Sequence, residues 1–272
     1  MTRVLAIVLT FNAPEALGQA VRGIAAQGEL VGHTLVVDNA SRVPVDVGQL
    51  AEATGLRPGS LEVLRLPENT GPAGGHAAGL ARFLELGEYT HAWVMDDDVA
   101  PGPGCLAGQL ALAAGLPAAS AVYPQVVDVA TGRVENYPGW FGLLLPRPVV
   151  ERAGVPRADF FWWAEDTEYL HHRLPGVGVG VHSAPDAVIR HSGVRRTPVR
   201  PPWKVYYETR NTIYYRWHVQ GHRAGAVRLM AWSLIRLGAA ASRGPGRGPR
   251  LAAYGRGLAD GVRGRLGKTM EP

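Results

Sequence analysis

Cysteine is almost missing from this chain, which contains Cys105 alone. One cysteine excludes an internal disulfide framework and any metal site built from several cysteines. Long apolar runs are missing too, because no stretch reaches the roughly 20 residues of a membrane-spanning helix. The apolar run at residues 4–9 is short and lacks a small-residue cleavage pattern, so we interpret it as a buried strand rather than a signal peptide. These absences favour a cytoplasmic protein.

No sequence repeat is found, although the chain has 35 glycines and 21 prolines. With 46% hydrophobic residues among 272, it can bury a full core. This composition excludes fibrous and disordered proteins and is typical of a globular enzyme with many loops.

Charge is distributed unevenly along the chain. Residues 1–186 hold 11 basic and 20 acidic residues, whereas residues 187–272 hold 17 basic and 3 acidic ones. A basic C-terminal part indicates an anionic partner such as phosphate groups or a membrane surface. We expect no nucleic-acid partner, because the basic part lacks a recognition motif and the acidic part would repel a phosphate backbone.

Short apolar runs alternate with helical patterns through the first half. The runs at residues 4–9, 34–37, 61–66, 92–95 and 121–123 predict strands, and residues 14–27 and 75–86 predict helices. This alternation predicts an α/β fold with a mostly parallel, Rossmann-like sheet and helices on both faces. Ligands of such sheets bind at the carboxyl ends of the strands.

Polar residues follow four of the predicted strands, so their side chains should converge on one crevice. They are Thr10 to Asn12, Asp38 to Ser41, Asn69 to Gly71, and Asp96 to Asp98. Asp96 and Asp98 point the same way if the strand continues, and paired carboxylates suit Mg²⁺ or Mn²⁺. The alternative for three consecutive aspartates is a solvated acidic turn.

The segment Asn69 to His76 is rich in glycine and opens a predicted helix. Its backbone amides could approach a diphosphate closely, although it is neither a Walker A nor a GxGxxG sequence. An ordinary loop before a helix is the alternative. Asp38 could bind a nucleobase or ribose, or could belong to a simple turn.

Carboxylates and tryptophans are adjacent at residues 162–169, which include Glu165, Asp166 and Glu168. Bulky apolar neighbours raise the pKa of a carboxyl group and make it an effective base. Exposed indoles can stack against sugar rings. The alternative is the acidic start of an amphipathic helix. His191 follows another apolar run and could ligate a metal, with Arg190, Arg195 and Arg196 nearby for phosphate contact.

In this order, the motifs resemble the family-2 glycosyltransferases of GT-A fold, above all bacterial galactofuranosyl- and rhamnosyltransferases. The resemblance covers residues 4–215 and includes Val-Asp-Asn-Ala-Ser at 37–41, Met-Asp-Asp-Asp at 95–98, Trp-Ala-Glu-Asp-Thr-Glu-Tyr at 163–169 and Tyr-Glu-Thr-Arg-Asn at 207–211. It implies an inverting, metal-assisted transfer of a sugar from a nucleotide-diphosphate donor, of the UDP-galactofuranose or dTDP-rhamnose type, to an acceptor hydroxyl.

The resemblance also implies roles for individual residues. The metal ligands would be Asp96, Asp98 and His191, and the general base would be Asp166 with Glu165 beside it. The donor would contact Thr10, Asn12, Asp38, Asn39, Asn69, Gly71, Gly74, Gly75, Asp96 and Asp97. The acceptor, a glycan, glycolipid or small molecule, would contact Trp140, Trp162, Trp163 and Glu168. His76 departs from the pattern, because many relatives have asparagine there.

The predicted organisation is a catalytic domain at residues 1–215, with a nucleotide-sugar half up to about residue 130, followed by a basic helical extension at residues 216–272. A linker is predicted at residues 241–250, before a final helix at 251–266. The helical pattern at 223–240 combines Trp232 and Ile235 with Arg223 and Arg228. Such a helix could lie peripherally on the inner face of a membrane, pack on the catalytic domain or mediate a homo-oligomer.

Three other functions stay open at this stage. A nucleotidyltransferase would also use a sheet and a carboxylate pair, but it needs a basic, glycine-rich signature near the first strand, which ends here in Thr-Phe-Asn-Ala-Pro. A soluble natural-product glycosyltransferase and a catalytically inactive sugar-binding relative remain. The intact acidic positions argue against the inactive relative.

Overall fold

A computed structural model describes residues 2–57, 59–135, 137–192, 200–241 and 246–272. Arg195 and Arg196, which the sequence places near a phosphate, lie outside these residues. No helix within the described ranges is long and apolar enough to cross a membrane.

The first half forms the predicted parallel sheet. Its strands are β1 (Val4–Thr10), β2 (Val31–Asp38), β3 (Leu61–Arg65) and β4 (His91–Asp96), and its helices are α1 (Pro14–Ala25), α2 (Val47–Thr54) and α3 (Gly71–Leu86). The strand order is β3-β2-β1-β4, and every neighbouring pair is parallel. The carboxyl ends of all four strands therefore lie on one edge of the sheet.

The second half makes the sheet mixed. It contains β5 (Val99–Pro101), α4 (Cys105–Ala114), β6 (Ser120–Asp128), β7 (Val134–Glu135), β8 (Phe141–Pro146) and β9 (Gly180–His191). The order continues β4-β8-β6-β9-β5, with β7 paired to β6. β8 is antiparallel to both β4 and β6. Between β6 and β8 the described residues form no helix, and a parallel pair would need such a crossover.

The remaining helices lie in the second half of the sequence. They are α5 (Arg147–Ala153), α6 (Glu165–Glu168), α7 (Leu174–Gly176), α8 (Pro202–Tyr214), α9 (Arg223–Ala241) and α10 (Arg247–Arg263). A π-helical turn at Tyr169–Arg173 joins α6 to α7. Of the predicted linker at 241–250, Ala241 ends α9 and residues 247–250 begin α10, whereas residues 242–245 lie outside the described residues. A Cβ on Gly257 would lie 2.7 Å from the Tyr206 carbonyl oxygen, so α10 packs closely on α8.

Two apolar layers cover the sheet. Alternate residues of β1 divide between them: Val4, Ala6 and Val8 face α1 and α4, whereas Leu5, Ile7 and Leu9 face α3 and α5. This alternation follows from the two-residue period of a strand. Helices cover both faces, as the sequence predicts, and the polar edge between them is left for a site.

Candidate active site

The ends of β1, β2 and β4 meet at the carboxyl edge of the sheet. Thr10 pairs with Asp38 across β1 and β2, and Leu9 pairs with Asp96 across β1 and β4. The Thr10 hydroxyl donates a hydrogen bond of 2.6 Å to Asp97 Oδ2. Burial raises the pKa of Asp97 to about 7, although the Thr10 hydrogen bond opposes the shift. The polar residues that follow the strands therefore lie together, as their spacing predicts.

Asp38 organises the loop that follows β2. Its carboxylate is fully buried and accepts hydrogen bonds from the Ser41 amide at 2.8 Å and from Arg65 Nη1 at 2.5 Å. Burial alone would raise the pKa of Asp38, but the hydrogen bonds from Ser41, Val45 and Arg65 outweigh it and lower the pKa. Asp38 stays ionised at neutral pH, with its charge already matched by protein donors.

Asn39 and Asn12 hold neighbouring loops together. Asn39 Oδ1 accepts from the Thr70 amide at 2.9 Å, and its Nδ2 donates to Asn69 Oδ1 at 3.2 Å and to the Gly71 carbonyl at 3.1 Å. Asn12 Oδ1 accepts from the Arg42 amide at 2.7 Å. These amides fix the shape of the crevice wall, which leaves their predicted donor contacts as a proposal.

The glycines at the start of α3 face protein atoms. A Cβ on Gly71 would lie 1.9 Å from the Phe161 carbonyl oxygen, one on Gly74 would lie 2.4 Å from Thr70 Cβ, and one on Gly75 would lie 2.2 Å from Leu9 Cδ1. All three glycines are buried. Close packing against protein atoms is thus sufficient to explain these glycines. From the sequence alone, they are instead explained by close approach to a diphosphate.

His76 and Trp140 lie behind the aspartate cluster. The buried His76 contacts Asp96 Oδ1 through Nε2 at 2.9 Å, and its ring stacks on Trp140 at a centroid distance of 4.5 Å. Trp140 is only 3% exposed. The predicted acceptor contact of Trp140 is therefore corrected: its faces are covered by His76 and Tyr169, so it supports Asp96 from inside.

Asp98 and His191 form the part of the site best suited to a metal. His191 Nε2 lies 3.3 Å from Asp98 Oδ2, while Asp98 Oδ1 is buried without a hydrogen-bond partner. The hydrogen bond to Asp98 raises the pKa of His191 despite its burial. A carboxylate and an imidazole fit Mn²⁺ or Mg²⁺, although no ready-made group of three metal-binding side chains is found in the described part of the chain.

Glu135 belongs to this cluster but carries no sequence motif. Its Oε2 lies 3.5 Å from His191 Nδ1. The pairing of β7 with β6, and of β6 with β9, brings it there, since Glu135 pairs with Val126 and His191 pairs with Asp128. Only the strand order reveals this neighbour.

Glu165 and Asp166 begin α6 close to the aspartates. Glu165 is buried and its Oε2 has no hydrogen-bond partner. Burial and the charges of Asp166 and Asp96 raise the pKa of Glu165 well above its usual value. Burial also raises the pKa of Asp166, against hydrogen bonds from Thr167. The negative charge of Asp96 therefore contributes to the raised pKa of both carboxyl groups.

The indoles beside this pair are partly open to solvent. Trp163 is 42% exposed and donates through Nε1 to Thr212 at 3.2 Å, and Trp162 packs between Trp163 and Trp203. Glu168 differs from the acceptor contact expected of it. It is buried and accepts two hydrogen bonds from Arg173 Nη2, at 3.1 and 3.0 Å, so its carboxylate is already paired.

The fold is an α/β architecture with a row of carboxylates at the carboxyl edge of its sheet, which is the edge where ligands of such sheets bind. The model of the glycosyl transferase family 2 matches residues 5–196, so the chain belongs to that family and is a glycosyltransferase. No curated protein matches the sequence.

Solved structures of similar fold include two glycosyltransferases. One is the mannosyltransferase PcManGT from Pyrobaculum calidifontis in complex with GDP-Man and Mn²⁺, with 17% identity, 96% of this chain and 87% of that chain covered, and a TM-score of 0.59. The other is GalNAc-T7 with UDP, GalNAc and Mn²⁺, with 13% identity, coverage of 83% and 52%, and a TM-score of 0.60. At these identities the likeness concerns the fold, and it confirms the GT-A architecture.

Proposed function

We propose that this glycosyltransferase inverts the donor sugar, moving it from a nucleotide diphosphate to an acceptor hydroxyl in one displacement. The observation that supports the proposal is the buried carboxylate pair Glu165 and Asp166 at the start of α6, where burial and the charge of Asp96 raise both pKa values. The acceptor oxygen bonds to the anomeric carbon while the bond to the diphosphate breaks. The nucleoside diphosphate leaves with the bonding electrons.

In this proposal Asp166 takes the proton of the acceptor hydroxyl. It is the less enclosed of the two carboxylates and its Oδ1 is held by Thr167 at 2.6 and 3.2 Å, which leaves Oδ2 for the acceptor. The raised pKa of Glu165, whose Oε2 has no hydrogen-bond partner, favours its protonated form and so limits the negative charge beside the base. A base with a raised pKa is a stronger proton acceptor, which favours this step.

Asp98, His191 and Asp96 would hold a divalent cation, Mn²⁺ or Mg²⁺. The unpartnered Oδ1 of Asp98 supports this assignment, because a buried carboxylate oxygen without a donor is costly. When bound, such a cation neutralises the charge of the departing diphosphate. Glu135 would orient the His191 ring from its other nitrogen.

The donor remains a nucleotide sugar of the UDP-galactofuranose or dTDP-rhamnose type, on the strength of the sequence motifs. GDP-Man and UDP are bound in the two structural neighbours, so the guanine nucleotide belongs in the same test. The partly exposed indoles of Trp162 and Trp163 suit the ring of a glycan acceptor or an apolar aglycone. Lys204 lies 5.5 Å from the Trp162 ring and would add a positive charge for an anionic acceptor.

A glycolipid acceptor is favoured by the exposed side of α9. Val227, Trp232 and Ile235 are more than half exposed there, and Arg223 and Arg228 are exposed beside them. Apolar and basic residues on one helix are typical of peripheral binding to anionic lipid. This proposal places the enzyme at the inner face of a membrane, where a lipid-linked acceptor would be found.

A thermal-shift screen with UDP, GDP and dTDP, each with and without Mn²⁺, tests the proposed function. Binding to the folded state raises the Tm, so the screen needs no known acceptor. We expect a metal-dependent rise with one nucleotide, lost in Asp98→Ala and kept in Asp166→Asn. The nucleotide sugar that carries the same nucleotide is the expected donor. The rate at which the enzyme releases nucleoside diphosphate from it should be at least about 100-fold lower in Asp166→Asn.

Two outcomes would contradict the proposal. The absence of a shift with any nucleotide, from folded protein, would favour an inactive relative. Near-normal turnover by Asp166→Asn would remove Asp166 from the base role while leaving the donor assignment intact.

A further inference from the structure

The loop before α6 has an unfavourable backbone conformation. Phe161, Trp163 and Ala164 have φ angles of 64°, 77° and 67°, in the left-handed region that non-glycine residues avoid. The loop carries the two open indoles and leads directly into Glu165 and Asp166. Left-handed residues persist only where surrounding contacts determine them, so something must hold this loop.

Asn211 of α8 makes the necessary contacts. Its side-chain Nδ2 lies 2.8 Å from the carbonyl oxygen of Phe160, 2.7 Å from that of Trp162 and 2.9 Å from that of Trp163. Asn211 is fully buried. One side-chain amide of α8 thus lies within hydrogen-bond distance of three carbonyl groups of the loop.

Arg210 extends these contacts to the end of the chain. It is also fully buried, and it donates through Nε to Asn211 Oδ1 at 2.7 Å and through Nη2 to the Phe160 carbonyl at 2.8 Å. Its Nη1 donates to the Gly267 carbonyl at 2.6 Å. The Gly267 amide in turn donates to the Asp159 carbonyl at 2.6 Å.

Tyr207 fixes the same terminal segment on α8. Its hydroxyl accepts from the amides of Thr269 and Met270, each at 3.0 Å, and donates to the Met270 carbonyl at 2.8 Å. Residues 267–270 are therefore bound between the base of the loop and α8. The sequence places these residues in a separate extension, but Gly267 is hydrogen-bonded to Asp159 at the base of the loop, and Thr269 and Met270 are hydrogen-bonded to Tyr207 of α8.

We propose that Arg210, Asn211 and residues 267–270 form a clamp that holds the left-handed loop 160–164 and thereby positions the carboxylates of Glu165 and Asp166 for transfer. Arg210 and Asn211 are positioning residues, since neither contacts those carboxylates. The catalytic consequence rests on the proposed function, whereas the effect on the loop does not.

The test compares Asn211→Ala and the milder Tyr207→Phe with Tyr254→Phe. The control also removes a tyrosine hydroxyl, which bonds the Met230 carbonyl at 3.0 Å, but it lies between α9 and α10 and does not contact the loop. Hydrogen exchange by mass spectrometry reports on peptides covering residues 159–168. Turnover is the release of nucleoside diphosphate from UDP-, GDP- and dTDP-sugars with water as the acceptor.

We expect amide exchange in residues 159–168 to become at least roughly ten-fold faster in Asn211→Ala, and detectably faster in Tyr207→Phe, because the bonds that close the loop are lost. Turnover should fall by about 100-fold in Asn211→Ala while the Tm rise caused by the nucleotide is kept, since misplaced groups slow the reaction without affecting donor binding. Tyr254→Phe should change neither exchange in the loop nor turnover.

A second substitution separates positioning from general damage. Ala164→Gly removes the penalty of the left-handed conformation, so in the Asn211→Ala background it should recover turnover by roughly five-fold. Unchanged exchange at 159–168 in both clamp variants would overturn the proposal. A failure of the proposed function would look different, because Asp166→Asn would then turn over donor like the wild type whatever the clamp variants do.

Discussion

Substitution of Gly71 by alanine tests whether the glycine-rich start of α3 is required by packing. Gly71 has a φ of 69°, and a Cβ there would lie 1.9 Å from the carbonyl oxygen and 2.6 Å from the carbonyl carbon of Phe161. Both are backbone atoms, so no side-chain rotation can relieve the overlap. We expect Gly71→Ala to displace the Phe161 loop and destabilise the protein.

The magnitude follows from two separate contributions. The left-handed conformation costs about 1 kcal/mol for alanine. Forcing a methyl group into filled space costs a further ~1–3 kcal/mol. Together they give about 2–4 kcal/mol, a large part of the roughly 5–15 kcal/mol by which folded proteins are stable.

Gly55→Ala is the matched control. Gly55 ends α2 with a φ of 73°, and a Cβ there would meet no atom within 4 Å. It therefore experiences only the conformational cost of about 1 kcal/mol. Urea unfolding of both variants, compared at equal m-values, measures the difference.

A Gly71→Ala protein no less stable than Gly55→Ala would refute the packing argument. If that stable variant also lost the Tm rise caused by nucleotide, the glycine would be required for close approach of a diphosphate, as the sequence motif first suggests. Reduced stability together with retained nucleotide binding in the folded fraction is the result we expect.

Two further predictions concern the buried carboxylates. Because the pKa of Glu165 is raised in the fold, its contribution to stability is fully present below the unfolded pKa and is lost as the pH rises through the folded pKa. In urea unfolding without added metal, Glu165→Gln should therefore stabilise the protein more at pH 8 than at pH 5. An equal gain at both pH values would contradict the raised pKa. Glu168→Ala should destabilise the protein by about 3 kcal/mol, which is the low end for a broken buried ion pair because Arg173 still reaches solvent. The folded fraction should keep its turnover of nucleotide sugar. Lower turnover at unchanged stability would instead return Glu168 to the acceptor site.

The parallel half of the fold could be predicted from the sequence because its strands and helices have clear periods. Each predicted strand from β1 to β4 occurs. β1, β2 and β4 are longer than predicted and include the polar residues Thr10, Asp38 and Asp96 at their ends, whereas β3 ends one residue earlier than predicted, at Arg65. β5 and β7 have three and two residues, too few for a period to be visible. Their partners are chosen by the tertiary fold.

In the site, spacing along the chain identified residues that lie together but not the direction of every side chain. Trp140 is a predicted acceptor contact because indoles stack against sugar rings, yet its ring faces inward against His76. Glu135 reaches His191 only through two strand pairings, which no local pattern encodes. Arg210 and Asn211 are visible as a motif, but their buried contacts with the loop carbonyls depend on where α8 docks.

The hydrogen bonds of the clamp have a consequence for the order of folding. The Phe160 carbonyl is bound by residues 50 and 51 positions further along the chain, and Arg210 is bound by a carbonyl 57 positions beyond itself. Contacts between such distant segments require the entropy of closing long loops to be lost before they can stabilise anything. During synthesis, the parallel half can fold while the carboxylates of Glu165 and Asp166 are still unplaced. Because residues 267–270 are synthesised after the sheet, we expect the loop 160–164 to reach its final conformation only once this segment has docked.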